Sequence, residues 1–156
     1  MLIYGCDPGF TGAVALYWTD TGKLEIHDMP VMKNTKGKAI INSPYLLDIL
    51  QNEENEKCLA LIEQVSAMPG QGVSSMFRFG EGYGMLQMAC AANKLPTQFV
   101  TAAKWKGYFG LNRDKGVSRG LAMQRFPEYA GLFSRVKDDG RAEAALIALY
   151  AAENMV

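Results

Sequence analysis

The stretch Cys58-Leu59-Ala60-Leu61-Ile62 is apolar without interruption and is stopped by a charge, Glu63. A helix or half-exposed strand of that length would interleave polar residues, so the run predicts a strand buried on both faces. Such a strand needs a layer on each side of its sheet. The chain is therefore expected to be an α/β protein, and the rest of the sequence is read for what surrounds that strand.

Three short β-rich runs precede it: Leu2 to Cys6, Ala13 to Trp18 and Leu24 to His27. The turn formers from Asp7-Pro8-Gly9 to Gly12, and Thr19-Asp20-Thr21-Gly22-Lys23, connect them closely enough to predict an antiparallel meander. After a polar stretch from Asn34 to Asn42, Ser43-Pro44 offers a helix cap with proline at the first position, and apolar residues continue to Leu50. Downstream, Ser74 to Asn93 reads as a long helix. Its Gly80, Gly82 and Gly84, with Gly72 upstream, weaken helix propensity and imply close packing in return. Pro96 to Val100 reads as a strand, Thr101 and Asp114 as helix caps, and Gly140 to Asn154 as an alanine-rich helix. The expected order is a mixed five-stranded sheet, three antiparallel strands and then parallel ones, flanked by helices. Residues 1–156 are expected to form a single domain.

Composition narrows the function classes. With 49% apolar and 21% charged residues the chain is globular in type, and no apolar run approaches the roughly 20 residues of a membrane span. The N-terminus lacks the pattern of a secretion signal, so a cytosolic setting is expected. Cys6, Cys58 and Cys90 are widely spaced among apolar neighbours and read as reduced core residues. His27 is the single histidine. Net charge is zero but unevenly spread: residues 1–100 carry 7 Lys/Arg and 10 Asp/Glu, whereas 101–141 carry 9 and 4. That local excess of cations fits a nucleic-acid footprint, although an ordinary solvated surface has the same look.

Four carboxylates stand out. Asp7 closes the first strand and Glu63 the fourth, so parallel neighbours would deliver both to one edge of the sheet, where α/β proteins place ligands. Asp7 before Pro-Gly also suits a plain Asx turn. Asp139 and Glu143, four residues apart, share a helix face. The helix dipole accounts for acids at a helix start but not for Glu143, embedded in the apolar run Ala142 to Ala148. Four acids with neither histidine nor cysteine form an oxygen-only donor set, the type that Mg²⁺ or Mn²⁺ prefers. Two such ions per site would serve phosphodiester hydrolysis, with Lys/Arg of 104–125 on the flanking phosphates.

Three segments carry a family resemblance. Gly5-Cys6-Asp7-Pro8-Gly9-Phe10-Thr11-Gly12-Ala13 resembles the opening strand-turn of RuvC-like Holliday junction resolvases, and Ile62-Glu63-Gln64-Val65 resembles their second acidic motif. Asp138-Asp139-Gly140-Arg141-Ala142-Glu143-Ala144 is similar to the closing motif of the phage and organellar-type branch. In this order the matches span nearly the whole chain. The resemblance implies an RNase H-like fold, a homodimer on a four-way DNA junction, Mg²⁺-dependent paired nicks, and no small-molecule organic cofactor. It also implies a bacterial or phage-infected host cytoplasm.

Carried over, Asp7, Glu63 and Glu143 are catalytic metal ligands. Bacterial members place the preceding acid or histidine where this chain has Gly140, so Asp139 is taken as the fourth ligand, with Asp138 as its substitute. Lys104, Lys106, Lys115 and Arg119 lie where the family grips phosphates. Ser66-Ala67-Met68 replaces a common junction-stacking aromatic, which leaves Met68 or Phe77 as the wedge, against a core or dimer-interface role. Trp105 suits a base stack less well than a helix anchor.

Two other readings share the architecture. Asp7 to Gly12 also looks like a phosphate-cradling turn of actin-like or sugar-kinase ATPases, but that fold needs two such domains and 156 residues contain one turn of this kind. A branched-DNA-binding module without chemistry is the other. Forks and flaps are alternative substrates for the nuclease itself.

Overall fold

The computed structural model describes residues 1–156 except 53–55, 68–69, 71 and 112–114. Its central sheet has five strands: β1 (Leu2–Asp7), β2 (Ala13–Trp18), β3 (Leu24–Asp28), β6 (Cys58–Gln64) and β7 (Thr97–Thr101), in the order β3-β2-β1-β6-β7. The first three are antiparallel neighbours, and β6 and β7 add in parallel. This is the mixed sheet expected from the sequence. β6 is buried from Leu59 to Ile62, as its unbroken apolar run requires.

Residues alternate between two faces along each strand. Ile3, Ala13, Ala15, Leu59 and Leu61 pack with α5 (Asp139–Asn154), joined by Trp105 of α3 (Ala102–Tyr108), Ala122 of α4 (Lys115–Arg125) and Phe133 of a 3₁₀ segment, Pro127–Phe133. Leu2, Tyr4, Cys6, Val14, Ala60 and Ile62 face the other way. They meet Leu46 and Ile49 of α1 (Ser43–Ile49) and Leu86, Ala89 and Cys90 of α2 (Val73–Ala92). All three cysteines are free, and Cys6 and Cys90 are buried. No helix among the described residues is long and apolar enough to cross a membrane.

Some details depart from expectation. The cap of α1 is Asn42, whose Oδ1 accepts from the Tyr45 N–H at 3.3 Å, so Ser43 is already helical. The polar stretch before it contains a separate two-stranded hairpin, β4 (Val31–Lys33) and β5 (Ala39–Ile41), too short for any periodicity to announce. The expected close packing of the α2 glycines is not found: a Cβ at Gly82 would stand at an ordinary contact distance of 3.4 Å from Phe10, and Gly72, Gly80 and Gly84 face open space. The expected cap Asp114 and the candidate wedge Met68 lie outside the described residues.

Candidate active site

β1 and β6 run side by side in parallel, with Gly5 opposite Leu61 and Cys6 opposite Ile62. One residue further, Asp7 and Glu63 stand level at the same sheet edge. Asp7 follows the parity of Ile3 and Gly5, and Glu63 that of Leu59 and Leu61, so both belong to the face covered by α5. Their arrival together follows from the parallel pairing.

Two glycine contacts set α5 on that face. A Cβ at Gly5 would lie 2.3 Å from the Ala144 carbonyl oxygen and 2.4 Å from the Ala148 nitrogen, so the helix touches the strand backbone where no side chain fits. At Gly140 a Cβ would lie 2.3 Å from the Thr11 carbonyl oxygen, which presses the start of α5 onto the turn that follows Asp7. Gly12 tightens the same turn: a Cβ there would stand 2.0 Å from the Asp7 carbonyl oxygen. Glu143 falls between these two contacts and is only 8% exposed.

The second layer of contacts comes from α3. Thr101 caps it, its Oγ1 accepting from the Lys104 N–H at 3.3 Å, and this fixes Trp105 and Lys106. Trp105 is fully buried, as an anchor should be, and its Nε1–H donates to Glu63 Oε2 at 2.6 Å. Lys106 Nζ donates to Glu143 Oε1 at 2.8 Å. Arg119 Nε donates to Asp139 Oδ1, also at 2.8 Å. Burial pushes the Glu63 carboxyl above its ordinary value; the Trp105 N–H opposes this, the neighbouring Glu143 charge adds to it, and Lys106 counters.

Asp138 has a different task from Asp139. It is 1% exposed and accepts from the Arg135 guanidinium and from the Arg135 backbone N–H, with Arg141 3.9 Å away. The Arg135 hydrogen bond holds its carboxyl below the usual range. Arg141 in turn grips Asp28, at the end of β3, with two contacts of 2.6 Å. Asp138 and Asp28 thus tie the start of α5 to the sheet edge, whereas Asp139 shares a helix face with Glu143.

The sequence led us to expect a compact oxygen cage and a separate set of phosphate-gripping cations. Instead the two sets interleave. Among the described residues no three acids, cysteines or histidines stand close enough to hold a metal ion as they are placed. The Glu143 charge bears on Glu63, Lys106 pairs with Glu143 and Arg119 with Asp139, so neither cation is spread on the surface as expected. Local sequence could not announce these pairs, since Lys106 and Glu143 are 37 residues apart. Lys104 is exposed, Lys115 opens α4 with its side chain outside the described set, and Phe77 is 74% exposed on α2, which rules out a core role. The donors fit a hard divalent cation in chemistry: oxygen only, charge-coupled, and already neutralised by ammonium and guanidinium groups.

No protein-family model and no curated protein matches the chain in sequence. Its fold is similar to that of Thermus thermophilus RuvC, with a TM-score of 0.61 and 15% identity over 98% of this chain and 96% of that one. It is also similar to T. thermophilus RuvC in complex with a Holliday junction substrate, at TM-score 0.59 and 15% identity over 97% and 92%. The yeast mitochondrial Holliday junction resolvase Ydc2 gives a TM-score of 0.54 and 18% identity over 96% of this chain and 77% of that one.

Proposed function

We infer that this chain, built on the RuvC fold, is a structure-specific DNA endonuclease that resolves four-way junctions by divalent-metal-dependent hydrolysis. The observation that supports the reading is that Asp7 and Glu63 end parallel neighbouring strands on the face covered by α5, the helix whose Glu143 carries a charge that bears on Glu63. The RuvC structure that contains a Holliday junction supports branched DNA as the substrate class.

Asp7, Glu63, Glu143 and Asp139 would hold Mg²⁺ or Mn²⁺. When bound, two such ions supply an activated water and neutralise the leaving oxygen. The remaining roles fall to the protein. Trp105 fixes the Glu63 carboxylate through its N–H, so that one oxygen stays oriented without reorganisation. Lys106 pairs with Glu143 and Arg119 with Asp139, which offsets the charge of these two acids before any metal arrives. A homodimer belongs to the same reading.

A nicking assay on a synthetic four-way junction, a fork and a linear duplex tests this. With Mg²⁺ the native chain is expected to cut the junction in strands of like polarity and to spare the linear duplex. Asp7→Asn, Glu63→Gln and Glu143→Gln are expected to bind the junction and leave it whole. Cutting at the native rate by any of the three would remove that residue from the site.

A further inference from the structure

While Lys106 and Arg119 face carboxylates, as they do in the metal-free chain, a DNA arm needs other cations to meet it. The β4–β5 hairpin holds three lysines, Lys33, Lys36 and Lys38, and no acidic residue in a chain whose net charge is zero. All three are exposed, and among the described residues none takes part in an ion pair. Arg78 of α2 is exposed beside them, and it shares with Lys38, Gly37, Phe77 and Glu81 a cleft of about 770 Å³ between hairpin and helix.

The hairpin is also in the right place and built to stay there. It follows β3 by only Met29 and Pro30, and β3 ends opposite the start of β2, so the hairpin leaves the sheet at the edge that carries Asp7 and Glu63. Met29 donates its N–H to the Gly12 carbonyl at 2.9 Å, and Asn42 donates to the Pro30 carbonyl at 2.7 Å. Phe10, three residues after Asp7, meets Gly82 beside Ile41 of β5, which links the hairpin to the turn below the acids. The tip is organised by Asn34, whose Oδ1 accepts from the backbone N–H groups of Lys36 at 2.9 Å and Lys38 at 3.0 Å, with Gly37 at φ +74° completing the turn. Three lysines are thus carried on a hairpin whose backbone is already ordered, so that binding has to order mainly their side chains.

We propose that the β4–β5 hairpin is a phosphate-gripping arm, in which Lys33, Lys36 and Lys38, continued by Arg78, hold the backbone of one duplex arm of the substrate at the acid-bearing edge of the sheet. This rests on the nuclease reading given above, and it assigns to the hairpin the electrostatic work that the charge distribution had placed in residues 104–125. The contacts are with phosphates and carry no base specificity.

Binding of a fluorescein-labelled four-way junction, followed by anisotropy over a range of salt concentrations without divalent ions, tests the proposal. Each lysine on a phosphate steepens the dependence of log K on log salt by about 0.9. Lys33→Ala/Lys36→Ala/Lys38→Ala is expected to bind more weakly and to flatten the slope by about 2 to 3 units, with an unchanged circular dichroism spectrum. The triple Lys→Arg variant, which keeps the charge, is expected to retain both slope and affinity. Lys57→Ala/Lys94→Asn, away from the acid edge, is expected to behave as the native chain. A triple alanine variant with native slope and affinity would overturn the hairpin's role while leaving the nuclease reading intact. An equal loss in the Lys57/Lys94 variant would reduce the effect to general charge and overturn it too. A native chain that fails to bind the junction at low salt would instead overturn the DNA reading itself.

Discussion

Glu63 sits between a buried indole and a second carboxylate, and its protonation is the most informative property of any single residue here. Its pKa is raised in the folded state, so the stability it contributes is fully present below the ordinary glutamate value and is lost as pH rises through the raised one. Its charge at neutral pH is therefore a cost that a bound cation would relieve. Glu63→Gln is expected to melt at a higher temperature than the native chain at pH 7 without divalent ions, with the difference shrinking towards about pH 4. A lower melting temperature for the variant would contradict this. The Trp105 N–H acts in the opposite sense, favouring the ionised carboxylate. Trp105→Phe is expected to move the acidic limb of the pH–rate profile to higher pH, and an unmoved limb would show that the indole only packs. Asp7 and Glu63 were legible in the sequence because a charge that closes an apolar strand has to be accounted for. The contacts around the site were not, because Trp105 reaches Glu63, Lys106 reaches Glu143 and Arg119 reaches Asp139 only through tertiary packing.

Among the elements, α5 shows how small residues carry a site. Its alanines read as helix from propensity alone, but their purpose appears only where Gly5 lets Ala144 and Ala148 rest on the β1 backbone. Gly5→Ala is expected to push the helix away and to lower stability by about 1 to 3 kcal/mol, the usual cost of overpacking a tight contact. Urea denaturation measures this, and an unchanged midpoint would mean that the helix can shift without loss. β1, β2 and β6 were legible because their mainly apolar runs extend over five residues or more, and β3 and β7 from shorter β-rich runs. The β4–β5 hairpin was not: its strands are three residues each and its stability comes from Asn34, Gly37 and contact with α2. Caps were legible only to within a residue, as Asn42 in place of Ser43 shows.

At the level of the whole molecule, zero net charge conceals a division of labour. Cations of 101–141 serve largely to hold acids: Lys106 on Glu143, Arg119 on Asp139, Arg135 and Arg141 around Asp138. A charge count along the chain cannot distinguish a cation facing a carboxylate from one facing solvent, so the basic region was legible and its use was not. Both halves of the arrangement meet at a single sheet edge, where the hairpin begins and β1 and β6 end. The central claim is that the carboxylates gathered there bind a pair of divalent ions in place of their present counter-charges. Anomalous diffraction from crystals of the native chain soaked in Mn²⁺ tests it most directly. The account predicts manganese peaks bounded by Asp7, Glu63 and Glu143, with Lys106 withdrawn from Glu143; manganese absent from that cluster, with the Lys106–Glu143 pair intact, would contradict it.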